Sequence, residues 1–183
     1  TKLTTYDNMV RFESISGKLL NSDINILGEL ENFKQPNLKL SGELNLDLED
    51  IRRAVLKFVG EHKPMLSFLD AIKPRGTCLA SMFLDGPAAD IRRVELAVKA
   101  SSETIWLYGL NMGPFKMNLA MKEQIISVPT FTFMPYGGTL ASGAVIDYSV
   151  DGNVRPAPDY KIEINASDID LAKMIADTKI KNK

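Results

Sequence analysis

The chain has 183 residues, of which 45% are hydrophobic and 25% charged, and its net charge is −1. This composition is that of a globular protein with a sizeable core. Because the net charge is near zero and the basic residues form no stripe, we expect no nucleic-acid partner. One cysteine, Cys78, and one histidine, His62, exclude an internal disulfide and make a poor metal site, so we predict neither metal nor cofactor.

The beginning of the chain shows no targeting signal. It opens at Thr1 without an initiator methionine or an apolar leader, and no run of 18 apolar residues follows. We therefore expect a piece of a longer chain, with any anchor in the missing part.

Alternation of apolar and polar residues predicts most of the chain as strands. Such alternation gives a strand one apolar and one polar face, as in antiparallel sheets. In chain order the predicted strands cover residues 10–15, 24–30, 37–48, 77–83, 94–99, 104–110, 115–122, 125–133, 138–150 and 160–166. The clearest is 37–48, where Leu38, Leu40, Leu44 and Leu46 alternate with polar residues.

Turns and helices occupy the segments between these strands. Glycine, proline and asparagine predict turns at 32–37, 85–87, 112–114, 135–138 and 151–153. Helices are predicted at 49–59, briefly at 64–71, and at 168–178, with Asp47 or Glu49 near the start of the first and Ser167 or Asp168 as cap of the last.

The predicted fold is therefore mainly β, with a few short helices. We expect a large antiparallel, strongly twisted meander sheet that forms a half-barrel or groove. One domain should span 1–183, with loose sub-units 1–75 and 76–183. The apolar faces of its strands must be buried, either in the core of a closed sandwich or barrel or against a bound ligand. A closed core is the commoner use of such residues.

Three stretches resemble the AsmA-like family, in the C-terminal region of these bacterial envelope proteins. Residues 135–148 (PYGGTLASGAVIDY) resemble its Tyr-Gly-Gly strand pair, and 160–175 (YKIEINASDIDLAKMI) resemble the strand and short helix that follow. Residues 15–33 (ISGKLLNSDINILGELENF) resemble its glycine-punctuated strand unit. The middle of the chain, about 60–116, is similar only in its general pattern.

The resemblance implies a role in handling lipids. AsmA-like proteins carry an N-terminal membrane anchor and a periplasmic β-rich body, and they are linked to outer-membrane assembly and phospholipid movement between membranes. They are similar to bridge-like lipid transfer proteins, whose sheets form an open apolar trough, and they have no catalytic residues. We therefore predict a non-enzymatic periplasmic segment, anchored to a membrane in the full-length protein, that holds phospholipid acyl chains on an apolar face formed by Leu38, Leu40, Leu44, Leu46, Met117, Leu119, Met121 and Phe133.

Two other functions stay open at this point. A structural module would make edge-strand or end-to-end protein contacts without binding lipid. An enzyme is the weaker alternative, because the chain has no G-x-S-x-G motif, although carboxylate pairs can assemble in space without a local signal.

Overall fold

The computed structural model describes residues 2–58, 71–90, 93–147 and 159–181. These residues form ten strands and two helices, together with a single 3₁₀ turn at Pro135–Gly137. The strands are β1 (Lys2–Tyr6), β2 (Met9–Leu19), β3 (Ser22–Glu31), β4 (Asn37–Asp47), β5 (Thr77–Pro87), β6 (Glu95–Leu107), β7 (Leu110–Lys122), β8 (Ile125–Phe133), β9 (Thr139–Asp147) and β10 (Asp159–Ser167). The helices are α1 (Leu48–Phe58) and α2 (Leu171–Lys181).

All ten strands belong to one sheet in sequence order, and each is antiparallel to the next. Among the described strands, β1 and β10 are the two edges and do not pair with each other, so the sheet is open and does not close into a barrel. The ten strands have 5 to 13 residues each, whereas the two helices have 11 residues each, so strand residues outnumber helical residues. The prediction of a mainly β antiparallel meander is confirmed.

Most predicted boundaries are close, but one predicted strand division and two predicted turns are wrong. The turn predicted at 85–87 is the last part of β5, where Asp85, Gly86 and Pro87 pair with β4. Residues 94–99 and 104–110 are not two strands but parts of the continuous β6, which absorbs the interruption as a bulge near Ser102. The turn predicted at 112–114 lies inside β7. There Gly113 has a positive φ of 66° and its N–H bonds to the Asn111 side chain, which makes a bulge, and the chain reverses at Tyr108–Gly109 instead.

Each helix begins at an aspartate that accepts backbone hydrogen bonds. Asp47 Oδ1 accepts from the N–H groups of Glu49 and Asp50, at 2.9 and 3.1 Å, as predicted. The cap predicted for the last helix is wrong. Asp170 Oδ1 accepts from the Lys173 N–H at 3.0 Å, and Asp168 has a positive φ of 55° that delays the helix to Leu171.

Some predictions concern residues that the structure does not describe. His62, most of the short helix predicted at 64–71 and the turn predicted at 151–153 lie outside the described residues. The division into sub-units after residue 75 stays a prediction, but β4 and β5 pair across it through eleven residues. One sheet therefore joins the two parts.

At Gly42 of β4 the backbones of two strands approach more closely than a side chain would allow. A Cβ there would lie 2.4 Å from the Asn25 carbonyl oxygen and 3.0 Å from the Ile26 Cα. Both atoms belong to the neighbouring backbone, so they cannot swing aside. We expect Gly42→Ala to lower the free energy of unfolding by about 1–3 kcal/mol, measured by urea unfolding.

Gly17 on β2 is the matched control, because a Cβ added there meets nothing within 4 Å. Gly17→Ala should change the free energy of unfolding by about 0.5 kcal/mol or less. A cost at Gly17 equal to that at Gly42 would show that the loss comes from glycine itself and not from the close approach of β3 and β4.

Candidate functional site

The side chains on one side of the sheet are apolar across its whole width. In an antiparallel ladder, residues directly opposite each other point to the same face. One row of opposed residues crosses all ten strands and contains no charged residue. It runs Leu3, Phe12, Gly28, Leu40, Leu84, Leu96, Met121, Ile126, Ile146 and Tyr160. We call the side of the sheet that carries this row the apolar face.

Two further rows flank the first on the apolar face. The nearer row is Ile15, Ile26, Gly42, Met82, Val98 and Leu119. The next is Gly17, Ile24, Leu44, Ala80, Ala100, Met117, Phe131, Ser142 and Ile164. Neighbouring strands lie about 4.8 Å apart, so the row across ten strands is roughly 43 Å long.

The structure places all eight predicted residues on this face. Leu38, Leu40, Leu44 and Leu46 lie along β4, and their registers lead across β5 and β6 to the predicted residues of β7 and β8. Seven of them are half-buried. The eighth, Phe133, is only 4% exposed, so its surface is already in contact with protein.

Exposure of the apolar face rises towards both edges of the sheet, and Leu3 on β1 is 52% exposed. Side chains of the central rows, such as Met82, Val98 and Leu119, are half-buried. On β10, Tyr160 and Ile164 are 74% and 67% exposed. The face is therefore sheltered at its centre and open to solvent at both edges.

One end of the strands is closed by a packed aromatic cluster. The rings of Phe115, Phe131 and Phe133 lie 4.7–5.6 Å apart between centroids, two of the three pairs edge-on. Cys78 and Ile105 are buried with them, and Leu48 at the start of α1 packs against the cluster. This cluster is the compact hydrophobic core of the described residues, and the remaining apolar rows extend from it along the strands.

Cys78 belongs to that core as a small buried hydrophobe. It is 3% exposed, and burial raises the pKa of its thiol. A thiol with a raised pKa holds little of the nucleophilic thiolate at neutral pH. Its role is packing.

Buried polar groups fix α1 at the same end. Asp50 is 1% exposed, and its Oδ2 accepts a hydrogen bond from the Asn21 N–H at 2.7 Å. Ser22, fully buried, accepts from the Asp47 N–H at 2.9 Å. Because a buried polar group without a partner is costly, these bonds tie the start of α1 to the beginning of β3.

The opposite side of the sheet, here called the polar side, carries most of the polar residues and ion pairs across the strands, together with exposed Leu27, Leu79 and Phe83. The Arg11 Nη2 and Glu29 Oε1 atoms are 2.6 Å apart, and these residues are directly opposite each other on β2 and β3. The Lys122 Nζ and Glu95 Oε1 atoms are 2.7 Å apart, next to the opposed residues Met121 and Leu96. A slip of one residue would move these charges onto the apolar face, so they help to fix the register.

An open groove of about 1000 Å³ lies on this polar side, not on the predicted apolar face. It crosses β2 to β8, and its polar lining consists of Ser16, Lys18, Asp23, Asn25, Glu43, Asn45, Ser81, Lys99, Ser101, Lys116, Asn118 and Thr130. Leu44 and Met117 also border it, each between two residues that face the groove. Leu79, Ala80 and Ala100 line it as well, so the groove presents a mixture of polar and apolar groups.

The described part of the chain contains neither a metal-binding cluster nor a membrane-spanning helix. Residues 2–58, 71–90, 93–147 and 159–181 contain no group of three or more His, Cys, Asp or Glu side chains placed to hold a metal ion. The described helices include none with the length and hydropathy needed to cross a membrane.

Several residues of the apolar face were not among the eight predicted site residues. Met82 and Val98 lie at its centre, and Ile162 and Ile164 extend it to the edge of the sheet. Their alternation was visible in the sequence. The cross-strand registers that bring them beside Leu44 and Met117 were not.

Searches against protein-family models, curated proteins and solved structures found no match to this chain.

Proposed function

We propose that this chain is a non-enzymatic, lipid-holding segment of a periplasmic AsmA-type envelope protein, which takes part in phospholipid transport between membranes or in outer-membrane assembly. The observation that carries the proposal is the uninterrupted apolar face of an open sheet. An apolar surface of this width is costly in water unless something covers it, and acyl chains are a suitable cover.

The shape of the face suits a long, flexible apolar ligand. Its rows run across the strands for tens of ångströms, and they contain no charged side chain that would have to be desolvated. Met82 of β5 and Met117 and Met121 of β7 lie on it on either side of β6, and methionine adapts its shape to irregular partners. An acyl chain lying along a row would contact several strands at once.

The energetics favour binding with little selectivity for the headgroup. Burying one methylene is worth about 0.8 kcal/mol. Burying most of a segment of about ten methylenes therefore offsets the free-energy cost of immobilising the ligand. The contacts are non-directional and recognise no particular headgroup. We therefore infer phospholipids as a class, held by their acyl chains.

The sequence resemblance supports the periplasmic setting. The stretch 135–148 covers the 3₁₀ turn at Pro135–Gly137 and all of β9, and 160–175 covers nearly all of β10 and the first turn of α2. Each of the three AsmA-like stretches therefore falls on regular elements of the sheet or its adjoining helix.

A structural module is the second candidate, and one observation favours it. All nine residues of β10 are exposed, and no described strand pairs with its outer edge. An uncovered edge strand is a template for another chain.

Charging the apolar face should weaken lipid binding. We expect the double variant Met117→Glu and Met121→Glu to weaken binding of a fluorescent fatty acid at least about tenfold, which corresponds to roughly 1.4 kcal/mol. Displacement of the probe by phosphatidylethanolamine and by phosphatidylglycerol should occur at similar concentrations.

The same strand offers a matched control. Asn118→Glu and Ala120→Glu add the same charge to β7 on the polar side, and both positions are exposed. This control should bind the probe as the parent does. Equal loss in both double variants, with both folded by circular dichroism, would assign probe binding to the polar groove or to charge alone and would refute the proposed site.

A further inference from the structure

The last strand of the sheet is exposed on both faces. Every one of its nine residues is exposed, including Tyr160, Ile162 and Ile164 on the apolar face. The inner edge of β10 pairs along its full length with β9, whereas no described strand pairs with its outer edge. A row of backbone donors and acceptors is therefore available for another strand.

The side chains of β10 suit an antiparallel copy of the same strand. On the polar face, Lys161 and Glu163 flank Ile162 and form an ion pair of 2.7 Å within the strand. If two copies pair with Ile162 opposite Ile162, each Lys161 stands opposite the Glu163 of the other copy. Tyr160 then stands opposite Ile164 on the apolar face, twice by symmetry.

Neighbouring registers are worse because they place like charges together. Centring the pair on Glu163 sets the two Glu163 carboxylates against each other, and centring it on Lys161 does the same for the two ammonium groups. Like charges directly opposite each other destabilise a strand pair, whereas opposite charges stabilise it. Charge complementarity therefore selects the register centred on Ile162.

We propose that two copies of this chain pair through the outer edges of β10, antiparallel about Ile162. The result is a closed two-fold dimer with one continuous sheet of twenty described strands. Since opposed residues share a face, the apolar faces of the two copies become one surface. This inference does not depend on lipid binding.

Charge reversal and its rescue test the register. Sedimentation velocity over a range of protein concentrations should show a monomer–dimer equilibrium. Lys161→Glu and Glu163→Lys alone should each raise the dimer dissociation constant at least about tenfold, because two attractive pairs become repulsive. The double variant exchanges the charges, restores both pairs, and should return the dissociation constant to within about threefold of the parent.

Lys99→Glu is the control for charge alone, because Lys99 is an exposed residue of the polar face on β6, far from β10. It should leave the dimer unchanged. A monomer at all concentrations, single reversals without effect, or a double variant as weak as the single ones would each overturn the proposal. An open series of larger species would also overturn it, since that result indicates pairing of β10 with β1 of the next copy.

Discussion

Replacing Leu44 by aspartate is expected to lower the free energy of unfolding by about 3 kcal/mol or more. Leu44 is half-buried on the apolar face, directly opposite Ile24 on β3 and Ala80 on β5. A carboxylate there has no described cationic partner on its own face and must be desolvated among apolar groups. Urea unfolding followed by circular dichroism measures the loss.

Glu43, the preceding residue on β4, is the matched control. Its side chain points to the polar side, where it is exposed at the open groove. Glu43→Ala should cost about 0.5 kcal/mol or less. Similar losses at the two positions would contradict the assignment of faces on which the proposed site depends.

Truncating Phe133 to alanine is expected to cost about 3–5 kcal/mol of unfolding free energy, the largest effect we predict for a single truncation. The ring is 4% exposed, stacks edge-on against Phe131 at 4.7 Å, and lies 5.3 Å from Phe115. Removing it leaves a cavity inside the one tightly packed cluster. The midpoint of chemical unfolding should fall accordingly.

Phe83→Ala provides the comparison, because that ring is 45% exposed on the polar side of β5. It should cost well under half as much as Phe133→Ala, since an exposed ring loses few contacts. If Phe133→Ala leaves stability intact yet weakens lipid binding, then Phe133 contacts ligand, and the closed end described above is instead part of the lipid surface.

The strands and their faces could be predicted from the sequence because the signal is local. Alternation in 37–48 assigns Leu38 to Leu46 to one face whatever lies around them, and β4 indeed runs Asn37–Asp47. The missed strand is β1, Lys2–Tyr6, whose five residues offer only Leu3 and Thr5 on the apolar side. Five residues with one strongly apolar side chain give too little alternation to detect.

Turn signals failed where tertiary pairing changed their meaning. Gly113 and Pro114 resemble a turn, yet in β7 they form a bulge opposite β6, while Tyr108 and Gly109 make the reversal. The glycine and proline indicate an irregular backbone there. Whether it turns or bulges depends on the partner strand, which the local pattern does not contain.

The candidate site was predictable as a set of side chains but not as a surface. The eight residues share a face because alternation is local, whereas their extension over ten strands depends on register. Burial is also a tertiary property. Phe133 and Leu44 have equivalent sequence patterns, yet the first is packed under neighbouring rings and the second is half-buried on the sheet.

Binding of acyl chains on the apolar face is tested most directly by locating a bound acyl chain with nuclear magnetic resonance. In protein with labelled methionine methyl groups, a spin-labelled fatty acid should broaden Met82, Met117 and Met121, which lie on the apolar face. Met9, on the polar side of β2, should be affected much less. Equal broadening of all four signals, or none at a saturating concentration of the fatty acid, would contradict the claim that the apolar face holds acyl chains.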